Sequence, residues 1–463
     1  MTRMFKQPDY RATLKQTITL EECLPEQHLA RFVVAAVAHM DMSGFYQRYR
    51  ERGGEAIAPE VLLGLLLYGY ASGVFSSRKL ERATYESIPF RYVAGGLHPD
   101  HDTIAHFRKT FASEIKGVFV EVLLLAQAYG VLKLGHISLD GTKIHADASK
   151  SQAVSYKRAG ELEDHLRREV DELLALSEQA ERGERELPPD LNVVTEIAYR
   201  RDRLANLGEA KQVLEARAQE RYRAEQAAYA AKLKEREQRA KDSGKKPGGR
   251  PPTPPTAGPR DTDQYNFTDP ESRIMKNSSN AGFDQHYNAQ VAVDQASLLI
   301  VGNTLSNHPV DTDEALPTLD AIPPQIGRPT AVALDCSYFS PDAIPLMQQR
   351  GIDPFIAPGR ETHHRTWHTF FTELPHPPAD DASPRVKMAY QLHTEVGRAI
   401  YRLRKCTVEP VIGIIKEVLH FRQFSLRGLA AAASEWSLVC SAFNLKRLHT
   451  LVVGVGGVTA GVN

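Results

Sequence analysis

Residues 402–416 read RLRKCTVEPVIGIIK and place Glu409 and Lys416 seven residues apart in a segment with helical periodicity. Seven residues make almost two turns of an α-helix, so both side chains project from one face. A carboxylate on a helix becomes chemically useful when other carboxylates meet it. Acidic residues elsewhere in the chain are therefore candidate partners of Glu409.

Two apolar runs further upstream each end in an aspartate, ISLD at residues 137–140 and AVALD at residues 331–335. Short apolar runs are typical of buried strands, where a carboxylate is costly unless it has a partner or holds a cation. A single aspartate after such a run is more typical of a turn or a cap. The ordered set of Asp140, Asp335 and Glu409, in contrast, predicts a metal site.

The oxygen ligands of this predicted site favour Mg²⁺ over a transition metal. Mg²⁺ is a hard ion that keeps several waters and is commonly held by one or two carboxylates together with substrate phosphates. Two such ions about 3.5–4 Å apart activate the attacking oxygen and stabilise the leaving oxygen of a phosphodiester. We therefore expect Mg²⁺, with Mn²⁺ as a substitute, and a water molecule or a DNA 3′-hydroxyl as the nucleophile.

The residues around the three carboxylates resemble those of the DDE transposases of bacterial insertion sequences. The resemblance lies in VEPVIGIIK at residues 408–416, LDGTKI at 139–144 and LDCSYFS at 334–340. After its second aspartate the family usually has a small residue followed by Gly-Tyr, where this chain has Cys-Ser-Tyr.

The helical segment resembles a second pattern of this family, Tyr-x2-Arg-x3-Glu-x6-Lys, whose basic residues contact DNA. At that register the chain has Arg402 and Lys405, while Tyr401 and Arg404 each stand one position earlier. The resemblance therefore implies that this helix presents basic side chains to DNA.

The N-terminal part of the chain resembles the same family independently. Residues 58–108 include the segments APEVLL, LYGY, SSRKLE and HPDHDTIAHFR in that order. In the last segment, Asp102 predicts a cap that leads into a helix positioned against DNA, as in helix-turn-helix units. Together the resemblances cover roughly residues 5–450.

The resemblance implies an α/β protein with an RNase H-like mixed sheet and flanking helices, preceded by an all-α N-terminal domain. It implies that Asp140, Asp335 and Glu409 are both the catalytic residues and the metal ligands. Their expected positions are the first strand, the end of the fourth strand and a late helix. The expected partners are double-stranded DNA, as terminal inverted repeats and target DNA, and a second copy of the chain in a homodimer on paired ends.

Seven basic residues are predicted to contact DNA. Lys143 and Lys416 are suited to hold phosphates as point charges, although simple surface lysines give the same pattern. Arg273 and Lys276 lie in DPESRIMK, which resembles a family motif before the second strand. The full set is Lys143, Arg273, Lys276, Arg402, Lys405, Lys416 and Arg422.

The long interval between the two aspartates contains an insertion of helical character. Aliphatic residues recur at helical spacing between residues 162 and 176 and between 197 and 214, which favours a helical hairpin or a coiled-coil-like arm. A stretch rich in Pro and Gly then predicts a flexible linker. The predicted organisation is a helical N-terminal DNA-binding domain (1–130), the first core strand (131–150), the helical arm (151–245), the linker (246–265), the remaining core (266–450) and a flexible tail (451–463).

The composition is that of a globular protein. The 463 residues have 42% hydrophobic and 25% charged side chains, a formal net charge of zero and four cysteines without zinc-type spacing. DNA binding then depends on local patches, such as residues 195–250 with 15 Lys or Arg against 9 Asp or Glu. With no signal-peptide core and no apolar stretch of membrane-spanning length, we expect a soluble bacterial cytoplasmic protein, nucleoid-associated when bound to DNA.

The sequence thus predicts a metal-dependent polynucleotidyl transferase that cuts at the ends of its own mobile element and joins them to target DNA. Two alternatives share parts of this pattern. An RNase H-like nuclease or a domesticated transposase would keep the acidic residues but lack strand transfer. A non-enzymatic DNA-binding regulator would tolerate both Asp140→Asn and Glu409→Gln.

Overall fold

The computed structural model describes residues 19–49, 56–243, 251–277, 282–359 and 376–454. The chain divides into two compact units. We call residues 1–144 and 287–463 the core unit, and residues 145–286 the arm unit. Each unit is described by itself.

The N-terminal part of the core unit is helical, as predicted. The helices of the described residues are α1 Leu29–Ala38, α2 Ser43–Tyr46, α3 Pro59–Ala71, α4 Ser77–Glu86, α5 Ile88–Val93, α6 His101–Thr110, α7 Ala112–Ala128, α8 Tyr156–Glu181, α9 Val193–Ser243, α10 Ala315–Asp320, α11 Ala343–Gln349, α12 Pro384–His393, α13 Glu395–Gly413 and α14 Leu429–Gly454. Helix α3 is apolar on all sides and buried, as a central helix must be. Within the described part of the chain, no helix combines the length and apolar composition that crossing a bilayer requires.

Helix α6 has a different cap from the predicted one. Asp100, not Asp102, is the cap residue, and its carboxylate accepts a hydrogen bond of 2.7 Å from the amide of Thr103. The prediction of Asp102 is wrong because the capping oxygen must reach an amide two or three residues onward, which Asp100 does. Asp102 instead lies in the first turn of the helix.

A mixed sheet forms the centre of the core unit. The strands of the described residues are β1 His136–His145, β2 Ala153–Ser155, β3 Gln264–Asn266, β4 Arg273–Lys276, β5 Phe283–Asp294, β6 Ile300–Ser306, β7 Ala331–Leu334 and β8 Asp353–Ile356. The order in the core unit is β6-β5-β1-β7-β8. Strands β5 and β6 are antiparallel, whereas β7 is parallel to β1 and β8 is parallel to β7. This confirms the predicted α/β class with a mixed sheet and a helical N-terminal region.

Strand β1 continues past Asp140 to His145, whereas the sequence predicted that it ends near the aspartate. The apolar run does end there, but Ile144 is again fully buried. Gly141 allows close packing at this point, since a Cβ there would lie 2.3 Å from Nε2 of Gln290. Asp140 therefore lies inside a strand rather than at its end.

The C-terminal helices close the core unit. Helix α14 packs against α3, α7 and β6, and its fully buried Trp436 donates Nε1–H to the carbonyl of Gln290 at 3.2 Å. Nearby, the Tyr70 hydroxyl donates to Glu435 at 2.8 Å and accepts from Arg108 at 2.8 Å. The N-terminal and C-terminal helices thus share one buried interior. Helix α14 also includes the first four residues of the predicted tail, and 455–463 lie outside the described residues.

The arm unit consists of α8, α9 and short strands. The two helices pack through apolar clusters whose buried members are Val154, Ala159, Leu166, Val170, Val193, Ile197 and Leu207. The antiparallel ladder of β2 with β3 was not predicted, and it joins the segment before α8 to the end of the predicted linker. Of the predicted linker, residues 246–250 lie outside the described residues, and Asp263 pairs with Arg221 of α9 at 2.9 Å.

Candidate active site

The register of two parallel strands brings the two predicted aspartates together. Leu139 of β1 and Leu334 of β7 are Cα partners, and Asp140 and Asp335 are the next residues along each strand. Neighbouring strands lie about 4.8 Å apart, so the two aspartates follow adjacent positions, and the charge of Asp335 acts on Asp140. Asp335 also caps the short 3-10 turn Cys336–Tyr338, accepting from the amide of Ser337.

Asp140 is the most perturbed carboxyl group of this site. Burial raises its pKa to about 6, and the nearby charges of Asp335 and Asp311 act in the same direction, against the Gly141 amide and the Arg404 guanidinium. The Gly141 amide donates to Oδ1 at 2.9 Å, and Arg404 Nη1 donates to Oδ2 at 3.1 Å. The Gly141 amide and Arg404 therefore favour the charged form of Asp140 but do not offset the effect of burial.

Asp311 is a third carboxylate near the strand end, and the sequence did not single it out. Its Oδ1 accepts hydrogen bonds from the side-chain amides of Asn288 at 2.8 Å and Gln290 at 3.0 Å. The hydroxyl of Tyr338 donates to Oε1 of the same glutamine. The only signal for this network in the sequence is the pair of polar residues in YNAQVAVD, because Asn288 and Gln290 alternate within an otherwise apolar strand.

Glu409 lies on α13 with its side chain exposed, between the fully buried Val408 and Val411. Its link to the aspartates is electrostatic. Burial lowers the pKa of Arg404, but the charges of Asp140, Tyr401, Asp335 and Glu409 together raise it above its ordinary value. Glu409 is therefore near enough to act on the same guanidinium as both aspartates.

The carboxylates of the site differ in how well they are placed to bind a metal ion. Within the described residues, no three His, Cys, Asp or Glu side chains form a ready group of ligands for a metal. Asp140 and Asp335 alone nevertheless fit Mg²⁺, because this ion is commonly held by one or two carboxylates, with waters and substrate phosphates as the other ligands. Glu409 is not brought into direct contact with them.

The predicted DNA-contacting residues of the core unit differ in their burial and in their contacts within the protein. Lys416 lies in the π-helical turn Ile414–Val418, is half-buried, and donates to Oγ1 of Thr142 at 3.1 Å and to the carbonyl of Lys143 at 3.4 Å. Arg422 forms an ion pair with Glu417. Of the remaining three, Lys143 is partly buried on β1, and Arg402 and Lys405 are exposed on α13.

The two predicted basic residues of the arm unit also differ. Arg273 donates from Nη1 to the carbonyls of Pro270, Glu271 and Ser272 at 2.8–3.0 Å, so its guanidinium holds the loop before β4. Lys276 is exposed at the end of β4. A role in DNA binding stays a prediction for all seven residues.

Arg404 is the functional candidate whose role the sequence did not indicate. Its position one residue before the family register marked it only as a basic residue of the helix. In the structure it is 5% exposed and contacts Asp140, which lies 264 residues earlier in the chain. No local pattern predicts a contact of that separation.

Two family models match the chain. The model described as Transposase domain (DUF772) matches residues 18–110, and the model described as Transposase DDE domain matches residues 379–449. The second match includes Arg404 and Glu409, while Asp140 and Asp335 lie outside both. No curated protein and no solved structure matches the chain significantly.

The two matches lie in the order that the sequence resemblance implied, one at each end of the core unit. A transposase DDE domain is the catalytic domain of a metal-dependent polynucleotidyl transferase and endonuclease. Found in one polypeptide with an N-terminal transposase domain, it supports a DDE transposase of an insertion sequence.

Proposed function

We propose that this transposase cleaves DNA at the ends of its own insertion sequence and transfers those ends to target DNA, with Asp140, Asp335 and Glu409 as metal ligands. The observation that carries the proposal is the β1–β7 register, which sets the two aspartates side by side. The carboxylates of Asp335 and Asp311, which lie near enough to act on Asp140, support a cation-binding role.

We further assign the sheet of the core unit to the RNase H-like fold. In support, β1 is central, the antiparallel strands β5 and β6 lie on one side, and the parallel strands β7 and β8 lie on the other. Asp140 is on the first strand of this sheet, Asp335 follows its fourth, and Glu409 is on a later helix. This arrangement is the one that the sequence resemblance implied.

In the proposed reaction, Asp140 and Asp335 would hold divalent cations, Mg²⁺ or in its place Mn²⁺, and Glu409 would complete the ligand set from α13. When bound, two such ions activate the attacking oxygen and stabilise the leaving oxygen of the phosphodiester. The basic residues Arg402 and Lys405 share the helix with Glu409 and would hold the DNA backbone close to the carboxylates. The chain's own contribution is thus positioning and charge.

Two further elements of the proposal concern partners. The DNA would be double-stranded, as terminal inverted repeats and as target, and the active assembly would be a homodimer on paired ends. The family resemblance supports both. Basic residues on α9 give the arm unit a charge suited to a phosphate backbone, since residues 195–250 have more Lys and Arg than Asp and Glu.

The test is cleavage and joining of labelled DNA that carries the ends flanking the gene, with Mg²⁺ or Mn²⁺. We compare wild type with Asp140→Asn, Asp335→Asn and Glu409→Gln, and with Glu395→Gln as a matched control, because Glu395 is an exposed acid in the first turn of the same helix. We expect cutting and joining by wild type and control, and neither reaction by the three site variants.

The other outcomes separate the alternatives. Cutting without joining by the wild type would identify a nuclease. DNA binding without chemistry would indicate a regulator, and full activity of Glu409→Gln would remove that residue from the site.

A further inference from the structure

Arg404 is a buried cation placed among the carboxylates of the site. Its residue exposure is 5%, and the side chains of Arg404 and Asp140 are 6% and 23% exposed at their ion pair. Arginine is rarely buried to this extent unless it is paired. Its position on α13, five residues before Glu409, brings one fixed positive charge under the influence of all three predicted metal ligands.

The pairing is incomplete. A guanidinium has five N–H donors, and Arg404 uses Nη1 alone for Asp140. Its Nε is buried and, within the described residues, has no hydrogen-bond partner. A single contact lacks the stability of a two-fold Arg–carboxylate pair, and an unsatisfied buried donor is costly. The contact with Asp140 is therefore held less firmly than burial alone suggests.

Both oxygens of Asp140 are already engaged. Oδ1 accepts from the Gly141 amide, and Oδ2 accepts from Arg404. A divalent cation that binds at Oδ2 meets a positive group at the same oxygen, and the two repel each other. The guanidinium has a second partner within reach, because its carbon lies 5.9 Å from the centre of the Tyr401 ring, where a cation is attracted by the ring face.

We propose that Arg404 is a cationic placeholder, which holds Oδ2 of Asp140 in the metal-free protein and releases that oxygen when a divalent metal ion binds. The inference rests on the proposed metal site at Asp140 and Asp335. Arg404 is then a positioning residue. Its positive charge offsets the repulsion between the two adjacent carboxylates before the metal binds, and the same charge lowers the affinity for the metal.

The test is Mn²⁺ binding to the full-length protein, measured by electron paramagnetic resonance and calorimetry without DNA. We expect Arg404→Gln to bind Mn²⁺ about tenfold more tightly, since the metal no longer displaces a charge-assisted hydrogen bond. Arg404→Lys, which keeps the charge without the planar fork, should fall between Arg404→Gln and wild type. Arg398→Gln, which removes an exposed charge from the same helix, should bind like wild type.

A second measurement follows folding rather than binding. The unfolding temperature of Arg404→Gln should fall below that of wild type in EDTA, and the difference should shrink at saturating Mn²⁺. If Arg404→Gln does not fold, the Arg404→Lys comparison carries the test. Equal or weaker Mn²⁺ binding by the folded variants would overturn the placeholder.

Asp140→Asn separates failure of the inference from failure of the site. If this variant binds Mn²⁺ as well as wild type does, the metal site itself is wrong, and the placeholder is wrong with it. If it loses Mn²⁺ binding while Arg404→Gln gains nothing, the site stands and only the placeholder is wrong.

Discussion

Ser138 on β1 and Thr407 on α13 are in contact, with 3.4 Å between their hydroxyl oxygens, and both side chains are buried. Alternate residues of a strand share a face, so Ser138 lies on the same face of β1 as Asp140. The contact therefore fixes α13 against the face of the sheet that carries the first aspartate. Glu409 follows Thr407 by two residues, so its position depends on the contact between Ser138 and Thr407.

Enlarging the side chain of Thr407 should lower the rate of catalysis more than the affinity for DNA. Thr407 is 2% exposed, so Thr407→Leu forces extra volume between α13 and β1 at a cost of about 1–3 kcal/mol in the free energy of unfolding. A displacement of about 1 Å at a reacting geometry can lower a rate by roughly 100-fold. We expect a large loss of cleavage rate with DNA affinity, measured by gel shift, within about twofold of wild type.

The matched control for this variant is Thr407→Ser, which keeps the hydroxyl and removes bulk. It should retain most of the cleavage rate. If a folded Thr407→Leu protein cleaves DNA at the wild-type rate, the Ser138–Thr407 contact does not set the position of Glu409.

Adding a methyl group at Gly141 should disturb the network on the other side of β1. A Cβ there would lie 2.3 Å from Gln290 Nε2 and 3.0 Å from Asp311 Oδ1, so both side chains must move. We expect Gly141→Ala to lower the free energy of unfolding by about 1–3 kcal/mol in urea denaturation. Gly117→Ala on α7 is the control, because a Cβ there meets nothing within 4 Å and alanine favours a helix by about 0.5–1 kcal/mol. Equal stability of the two variants would contradict the close packing at Gly141.

Parts of this site could be predicted from sequence because the signals are local. AVAL before Asp335 is continuously apolar and forms a strand buried at all four positions, as parallel strands covered on both faces do. The helical periodicity of α13 likewise places Arg402 and Glu409 near one face, whereas Lys416 lies beyond it in the π-helical turn. These signals concern single elements, and each needs only the side chains of its own segment.

The rest depends on how elements meet. The Arg404–Asp140 ion pair and the Asn288–Asp311 hydrogen bond join residues 264 and 23 positions apart, and both require the strand order of the folded sheet. The end of β1 was predicted wrongly for the same reason: the apolar run ends at Asp140, and only the packing of Gln290 beside Gly141 shows that the strand continues. The charged groups near Asp140 come together only when the strands and helices pack, so the composition of the chain does not reveal them.

The contribution of Asp140 to the stability of the metal-free protein should fall as pH rises from about 4 to about 6. Its pKa is raised from 3.8 to about 6 by burial first and by Asp335 and Asp311 next. In that interval the folded state binds a proton that the unfolded state has lost, so the contribution to stability is present below pH 4 and is lost as pH rises through 6. The loss is on the order of 3 kcal/mol.

The measurement is urea denaturation in EDTA across this pH range for wild type and Asp140→Asn. Other groups titrate too, so the difference between the two proteins isolates Asp140. The stability of wild type relative to the variant should decrease from pH 4 to pH 6 and then level off. Parallel curves would mean that the carboxyl group titrates near its ordinary pKa.

Salt dependence of DNA binding should reveal whether the exposed basic residues of α13 contact phosphates. Each phosphate contact on duplex DNA contributes about 0.9 to the slope of log affinity against log salt concentration, so Arg402→Gln and Lys405→Gln should each reduce the slope by about that amount. Arg350→Gln is the control: its guanidinium is paired with Asp320 at 2.7 and 2.8 Å. It also precedes β8, whose first residue pairs with the start of β7, and so it lies at the strand end opposite to Asp335. An unchanged slope in both α13 variants would move the DNA backbone away from this helix, and with it the reason to expect Glu409 at the reacting phosphate.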